Sequence, residues 1–515
     1  MRTKWHNRAW PAALPALALV LLATAGCTGT GSPGSSAKPG ASPSTSGARQ
    51  QVARVCAKPP AGLEKPPAGA VEIDPGKVGD LATKTGDAPP GTTFWLRPGK
   101  HRLPAERYAQ VIPKEGDRYI GAPGAVLDGR KKNQYAFGGD APDVTISHLT
   151  VQGFVPPQDE GVVNKGSADG WVIEHSAIQY NSGAGLMAGA RQQVRDNCLR
   201  GNGQYGMNAY KDGDSIRGLV VEGNEITGNN TGDWEKRRKG CGCTGGIKFW
   251  AVDRADIRAN WVHDNRGTGL WADTNNNDFR IENNLIEAND GAALIYEISY
   301  NAVVRDNTIR RNNLVEGRRS AERGDAFPYG SVYISESGGE PRVDARTDKI
   351  EVYRNRLENN WNGITLWESA DRFCNSPANT SSGDCTLLVK DKERCKRPGI
   401  KTEPLYADCR WKTQRVDIHD NRFVLAKPEI DCSSRCDRMA LLSNYGTYPN
   451  WSPYKGDKVQ KSITDKQHNR WHDNAYVGPW RFVAQDMGKV LDDGQWQALP
   501  YEQDAGSTFD LPAGG

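Results

Sequence analysis

The chain has little net charge, few aromatic residues and almost no long apolar run. Its 515 residues carry 66 Lys and Arg against 62 Asp and Glu, for a net charge of +4. A balance so small gives no argument for a nucleic-acid partner. Apolar residues make up 37% and aromatic residues 8%, which is thin for a protein of long buried helices. The 57 glycines favour many short strands joined by turns instead. One apolar stretch stands out, AWPAALPALALVLLATAG, and it is too short and too early for an ordinary transmembrane helix. Metal-finger spacing is missing as well. Cys241-Gly242-Cys243 has no second Cys or His pair to complete a tetrahedral site.

The apolar stretch follows the basic MRTKWHNR and reads as an export signal. It ends in Thr24-Ala25-Gly26-Cys27, which resembles the lipobox of bacterial lipoproteins, with Thr24 where Leu is usual. That resemblance implies cleavage before Cys27, lipidation of Cys27 and anchoring on the outer face of the bacterial cell membrane. Residues 28–50 are almost all Gly, Ser, Thr, Pro and Ala, the composition of a flexible tether. Ten further cysteines remain: Cys56, Cys198, Cys241, Cys243, Cys374, Cys385, Cys395, Cys409, Cys432 and Cys436. An even number in an exported chain points to disulfides, whose pairing the spacing leaves open.

An internal repeat organises the middle of the chain. The pattern Asn-x-apolar-x-x-Asn occurs as NCLRGN (197–202), NEITGN (224–229), NWVHDN (260–265), NLIEAN (284–289), NTIRRN (307–312) and NRLENN (355–360). SAIQYN (176–181) and NRFVLA (421–426) are degenerate copies. A β-type segment precedes each copy, as in LVVEGN and DFRIEN, and another often follows, as in GIKFW, GLWAD and ALIYE. Periods of this length mean stacked units that cannot bury their apolar faces alone. The recurring Asn residues are expected at tight corners, in a left-handed backbone conformation and with their amides stacked.

Three short strands per unit resemble the right-handed parallel β-helix family (the pectate-lyase-like superfamily), including secreted bacterial β-helix lipoproteins. The fold expected is all-β: a right-handed parallel β-helix, or solenoid, with an N-terminal cap and disulfide-bearing loop insertions. Residues 51–140 would form the cap and first turns, 141–425 the regular coils, and 426–515 a C-terminal turn and cap. The resemblance implies carbohydrate-active enzymes such as pectate lyases, polygalacturonase-like hydrolases, alginate lyases and epimerases. None of their catalytic signatures is intact here, so no residue roles are carried over.

Candidate residues come from stacking the third strands. Period two places Ile247, Leu270, Leu294, Val332 and Ile364 inward. One outward column is then Asn208, Lys248, Trp271, Ile295, Tyr333 and Thr365. The next is Tyr210, Trp250, Asp273, Glu297, Ser335 and Trp367. Asp273 and Glu297 fall on consecutive coils, which lie about 4.8 Å apart. Two carboxylates so close would raise one pKa and supply a general acid. Asp273 and Glu297 are therefore the expected catalytic pair, with Glu368 or Glu336 as a substitute partner. Trp250, Trp271, Trp367, Tyr210 and Tyr333 would stack on sugars, and Lys248 would bind or neutralise them. The insertions 231–245, 314–330 and 370–415 would wall this face into a groove.

The reading favoured is an extracellular glycoside hydrolase that cleaves a polysaccharide on this outer face. A polysaccharide lyase or epimerase acting on uronate glycans, with Lys248 or Tyr333 as base, is the enzymatic alternative. A non-catalytic glycan-binding envelope protein is the third. No cofactor and no resident metal are expected, although Asp273, Asn275, Asn276, Asp278 and Glu297 offer oxygen ligands for Ca²⁺. The partners expected are a polysaccharide and, through the lipid anchor, the membrane; the chain is expected to be a monomer.

Overall fold

The computed structural model describes residues 54–237, 244–377, 385–443, 450–454, 459, 462–485 and 487–510. The stretches expected to be an export signal and a tether, with Cys27, Cys241 and Cys243, lie outside the described residues. No helix of the described residues is long and apolar enough to cross a membrane.

Nearly every strand pairs in parallel with the strand one coil away. Two sheets have 13 strands each and a third has 11. The chain visits them in turn. One coil runs Val252–Arg258 in the first sheet, Trp261–His263 in the second and Thr268–Ala272 in the third, before Asn277–Glu282 re-enters the first. This is the right-handed parallel β-helix expected from the repeat. The inward column Ile247, Leu270, Leu294, Val332 and Ile364 is in register and buried. Equivalent columns, Ile257–Ile281–Val304–Val352 in the first sheet and Ile226–Val262–Ile286–Ile309 in the second, complete one continuous core. Each such side chain contributes about 1.5–3 kcal/mol by leaving water, and alternation lets a strand of three to five residues supply it.

The repeat's two Asn positions form two separate ladders along the helix axis. At the corner between the first and second sheets, the amide of Asn197 donates to the side-chain oxygen of Asn224, and so on through Asn260, Asn284, Asn307, Asn355, Asn421 and Asn474, at 3.0–3.1 Å or 2.9 Å per rung. The same oxygens accept the backbone N–H of the preceding rung. A second ladder, Asn181–Asn202–Asn229–Asn265–Asn289–Asn312–Asn360, follows the corner between the second and third sheets. One expectation needs correction. The left-handed residue at each corner is the one before the ladder Asn, for example Asp196, Ala259, Asn283 and Asp306. The Asn itself keeps ordinary backbone angles because its task is to span coils, not to turn the chain.

The ends are closed. Near the N-terminus, helix Asp80–Asp87 buries Leu81 against the first coils. At the other end, helix Asp493–Gln497, held by an Asp492–Gln495 capping box, sets Trp496 on Phe482 and Trp471. Disulfides join Cys56–Cys198, Cys374–Cys385, Cys395–Cys409 and Cys432–Cys436. The first of these straps the N-terminal segment across the outer face of the second sheet. There the backbone N–H of Cys56 donates to Glu225 (2.8 Å) and the Arg54 guanidinium lies over Trp261.

Candidate functional site

The outer face of the third sheet carries the candidate residues where alternation predicts them. Asn208, Lys248, Trp271, Ile295, Tyr333 and Thr365 are mutual register partners. Glu297, Ser335 and Trp367 form the parallel column. Trp250 and Asp273 extend that column by one residue past their strands, where Asp273 N–H still donates to Phe249 O (2.9 Å) and Trp250 N–H to Ala209 O (2.9 Å). Asp273 and Glu297 thus sit on adjacent coils.

Their electrostatic setting differs from a bare carboxylate pair. Lys248 Nζ lies 3.1 Å from Asp273 Oδ2, with the two side chains only 8% and 10% exposed. The same ammonium stands 4.6 Å from the ring centre of Trp271 and 5.9 Å from that of Trp250. A cation over an indole face is attracted by the ring's negative quadrupole, so the two tryptophans and Asp273 together hold it. Glu297 has its own cation: Arg372 Nη1 lies 3.2 Å from Oε1, while Trp271 Nε1 donates to Oε2 (3.3 Å). A cation therefore stands on the far side of each carboxylate, Lys248 beside Asp273 and Arg372 beside Glu297, and the mutual repulsion expected of the two is met by a cation on each.

The carboxyl beside this face whose pKa burial raises is Glu336. It is fully buried at a left-handed position directly after Ser335. The Ser335 hydroxyl donates to its Oε2, and the Ser369 N–H donates to Oε1 (3.2 Å). Burial is the largest influence and pushes its pKa up to about 7, against the pull of Arg372 and of the Ser335 hydroxyl; Glu297 adds to the rise. Burial also opposes the charge on Arg372, but Glu336, Glu297 and Asp371 outweigh it and raise the guanidinium's pKa. Arg372 is thus the ion-pair partner of Glu297, and its charge also acts on Glu336.

Several expected roles do not survive the packing. Tyr333 is buried, with Phe327 and Tyr329 from the 314–330 insertion laid against it at 6.2 and 5.1 Å. Burial also drives its hydroxyl pKa well upward, so it is neither a sugar platform nor a base. Thr365 lies under the same insertion, its hydroxyl donating to Pro328 O. Glu368 is fully buried and belongs to the scaffold, not to the face: Arg410 pairs with it at 3.2 Å, Thr413 N–H donates at 2.9 Å and Gln467 Nε2 at 2.6 Å. Glu336, for the same reason, touches nothing on the surface directly. Tyr210 stays half-exposed and donates its hydroxyl to Asp212 (3.3 Å). Trp250, Trp271 and Trp367 are half-buried, and Trp367 packs against Phe327 at 5.6 Å.

The insertions meet the face at both edges. Helix Leu314–Glu322 and the loop after it cover the coils around Tyr333 and Trp367. The cysteine-bearing segment returns on the other edge and delivers Arg372. It is also fastened to the coil through Asn275, which donates to Cys385 O (2.7 Å) and accepts from Trp411 Nε1 (3.1 Å). Arg372 is the residue that strand alternation could not reveal, since it sits in a loop beyond the strand.

The oxygen ligands considered for Ca²⁺ do not converge. Asp278 is held by Arg254 (3.1 Å) and Arg346 (2.9 Å), and the Asn276 amide donates to Asp273 O and Ser299. A calcium cage needs six to eight oxygens aimed at one point, and these five residues do not fit it. Among the described residues, the one grouping of three or more potential ligands is Cys374, Cys385 and Cys395, whose sulfurs are in disulfides.

Residues 160–381 match the family model described as a right handed beta helix region. A search of curated proteins finds no match. Among solved structures, the chain is similar to the A-module of the Azotobacter vinelandii mannuronan C-5 epimerase AlgE4, at 14% identity over 72% of this chain and 96% of that one, with a TM-score of 0.42. It is similar to the periplasmic alginate epimerase AlgG, at 14% identity over 73% and 78% of the two chains, with a TM-score of 0.35. It is also similar to the catalytic unit of the GH87 α-1,3-glucanase of Streptomyces thermodiastaticus strain HF3-3, at 15% identity over 62% and 67%, with a TM-score of 0.35.

Proposed function

We propose that the third-sheet face binds a polysaccharide and that the protein is a glycoside hydrolase acting on it, anchored outside the cell through Cys27. The observation that carries this reading is the alignment of Asp273 and Glu297 on adjacent coils, each held by a cation and flanked by half-exposed indoles. Flat apolar rings suit the faces of sugars, and a pair of carboxylates is what glycosidic cleavage requires. Asp273, paired with Lys248, takes the part of the group that attacks the sugar or activates water. Glu297, at the face and paired with Arg372, takes the part of the acid/base partner toward the leaving group, and Arg372 positions it.

A lyase or epimerase acting on an acidic glycan is the second reading, favoured by the two cations Lys248 and Arg372, which would neutralise a uronate. Incubation with plant, algal and bacterial wall glycans in oxygen-labelled water, with mass detection of products, separates the two. Label at the new reducing end supports hydrolysis, and an unsaturated, ultraviolet-absorbing product supports elimination. Asp273→Asn and Glu297→Gln should each slow turnover by about 10²-fold or more. Full activity in both variants would falsify the assignment.

A further inference from the structure

The fifth residue of each full repeat copy turns the corner between the second and third sheets. In the six full copies it is Gly201, Gly228, Asp264, Ala288, Arg311 and Asn359, and each takes a left-handed φ between 50 and 61°. These are mostly small or polar residues, as a left-handed corner demands. In SAIQYN the same corner is Tyr180, with φ 54°. A bulky aromatic is strained there, and strain of this kind persists where the surroundings impose it, often for function. Core packing does not explain the tyrosine, because it is 56% exposed.

The ring is nevertheless held in place. The Arg200 guanidinium stands over it at 5.3 Å, and Arg200 is itself oriented by Gln179 (2.7 Å) and Cys56 O (3.1 Å). Gly201 leaves the space the ring occupies; a Cβ there would come within 2.7 Å of it. Beside the ring is a shallow cavity of about 370 Å³ lined by Asp128, Arg130, Lys131, Gln152, Gly153 and Tyr180. It spans three successive coils, since Asp128 pairs with Gln152 and Gln152 with Gln179. Arg130 and Lys131 also adopt left-handed angles, with the Arg130 N–H tied to Asp128 (2.9 Å) and its guanidinium to Leu103 O (2.8 Å). Lys131 is exposed at the rim. The cavity therefore combines an oriented aromatic wall, an amide and an excess of positive charge.

We infer that Tyr180 is the platform of a second glycan site, separate from the third-sheet face, which takes a pyranose ring bearing an anionic substituent. The ring stacks on Tyr180, and Lys131 with Arg130 faces the anion.

Affinity electrophoresis of the full chain through polygalacturonate, dextran sulfate and uncharged dextran tests this. At least one anionic polymer should retard the protein, and Tyr180→Gly should weaken that retardation about tenfold. Because glycine relieves the corner, the same variant should keep or raise its thermal midpoint, an outcome a merely structural tyrosine would not give. Lys131→Gln should reduce retardation by the anionic polymers more than by dextran. The inference is overturned if neither anionic polymer retards the chain, if Tyr180→Gly is retarded as the wild type is, or if its thermal midpoint falls. It is also overturned if retardation is lost in Trp271→Ala but not in Tyr180→Gly, since binding then belongs to the third-sheet face alone.

Discussion

Lys248 Nζ is 3.1 Å from Asp273 and 4.6 Å from the ring centre of Trp271, and lysine and aspartate are both nearly closed off from water. Removing one member of a buried pair costs more than the pair is worth, because the remaining charge stays desolvated. Lys248→Met should therefore lower stability by about 3 kcal/mol, measured by denaturant unfolding. Adding Asp273→Asn should restore much of that loss. A double variant as unstable as Lys248→Met alone would show that the ammonium acts through the indoles and not through the carboxylate.

Glu336 sets a pH dependence with a definite sign. Its folded pKa is raised from 4.5 to about 7, so the folded chain binds a proton more readily than the unfolded chain. The associated stability is complete below the unfolded value and is lost as pH rises through the folded one. Between these limits the loss amounts to about 3 kcal/mol. Glu336→Gln, which keeps the shape and cannot ionise, should flatten that slope in unfolding free energy measured from pH 4 to pH 8, about the span over which the group titrates.

Asn260 serves two neighbours. Its amide donates to Val221 O (2.9 Å) and to Asn284 (3.0 Å), and its oxygen accepts from the amide and backbone N–H of Asn224. Asn260→Ala strands partners on both sides in a buried corner, and each unsatisfied group costs about 1–3 kcal/mol. The variant should lose several kcal/mol, whereas Ala288→Gly, at a left-handed corner position outside either ladder, should cost far less. Calorimetric midpoints compare them directly.

The Cys56–Cys198 bond closes a loop with a sequence separation of 142. Replacing both cysteines with serine should lower stability by about 4–5 kcal/mol if the bond acts through chain entropy. Limited proteolysis should then cut first between residues 54 and 70, where the strap has lost its anchor, with the coils beyond still protected. Simultaneous cleavage throughout would mean that the strap holds the coils together instead of lying on them.

The sequence made the scaffold legible because its rules are local and repeated. Alternation placed Leu270 inward and Trp271 outward, and the Asn spacing counted the coils. What it obscured depends on chain that leaves the coil and comes back. Tyr333 points outward as period two requires, yet the 314–330 insertion buries it, so outward did not mean exposed. Glu368 lies at the end of its strand, where the corner and the cysteine-bearing segment enclose it. Arg372 belongs to no strand column, and only the folded loop brings it to Glu297. The corners misled by one position: asparagine is common there, but the residue before it makes the turn.

The asparagine ladder has a further consequence. Successive rungs are separated in sequence by 27, 36, 24, 23, 48, 66 and 53 residues, while their hydrogen bonds stay between 2.9 and 3.1 Å. The ladder measures distance along the axis and is blind to the length of chain between rungs. New chain can therefore be spliced into a coil's rim without putting the next coil out of phase. The fold separates what must stay constant from what is free to grow, and the segments that wall the third-sheet face lie in the part that is free to grow.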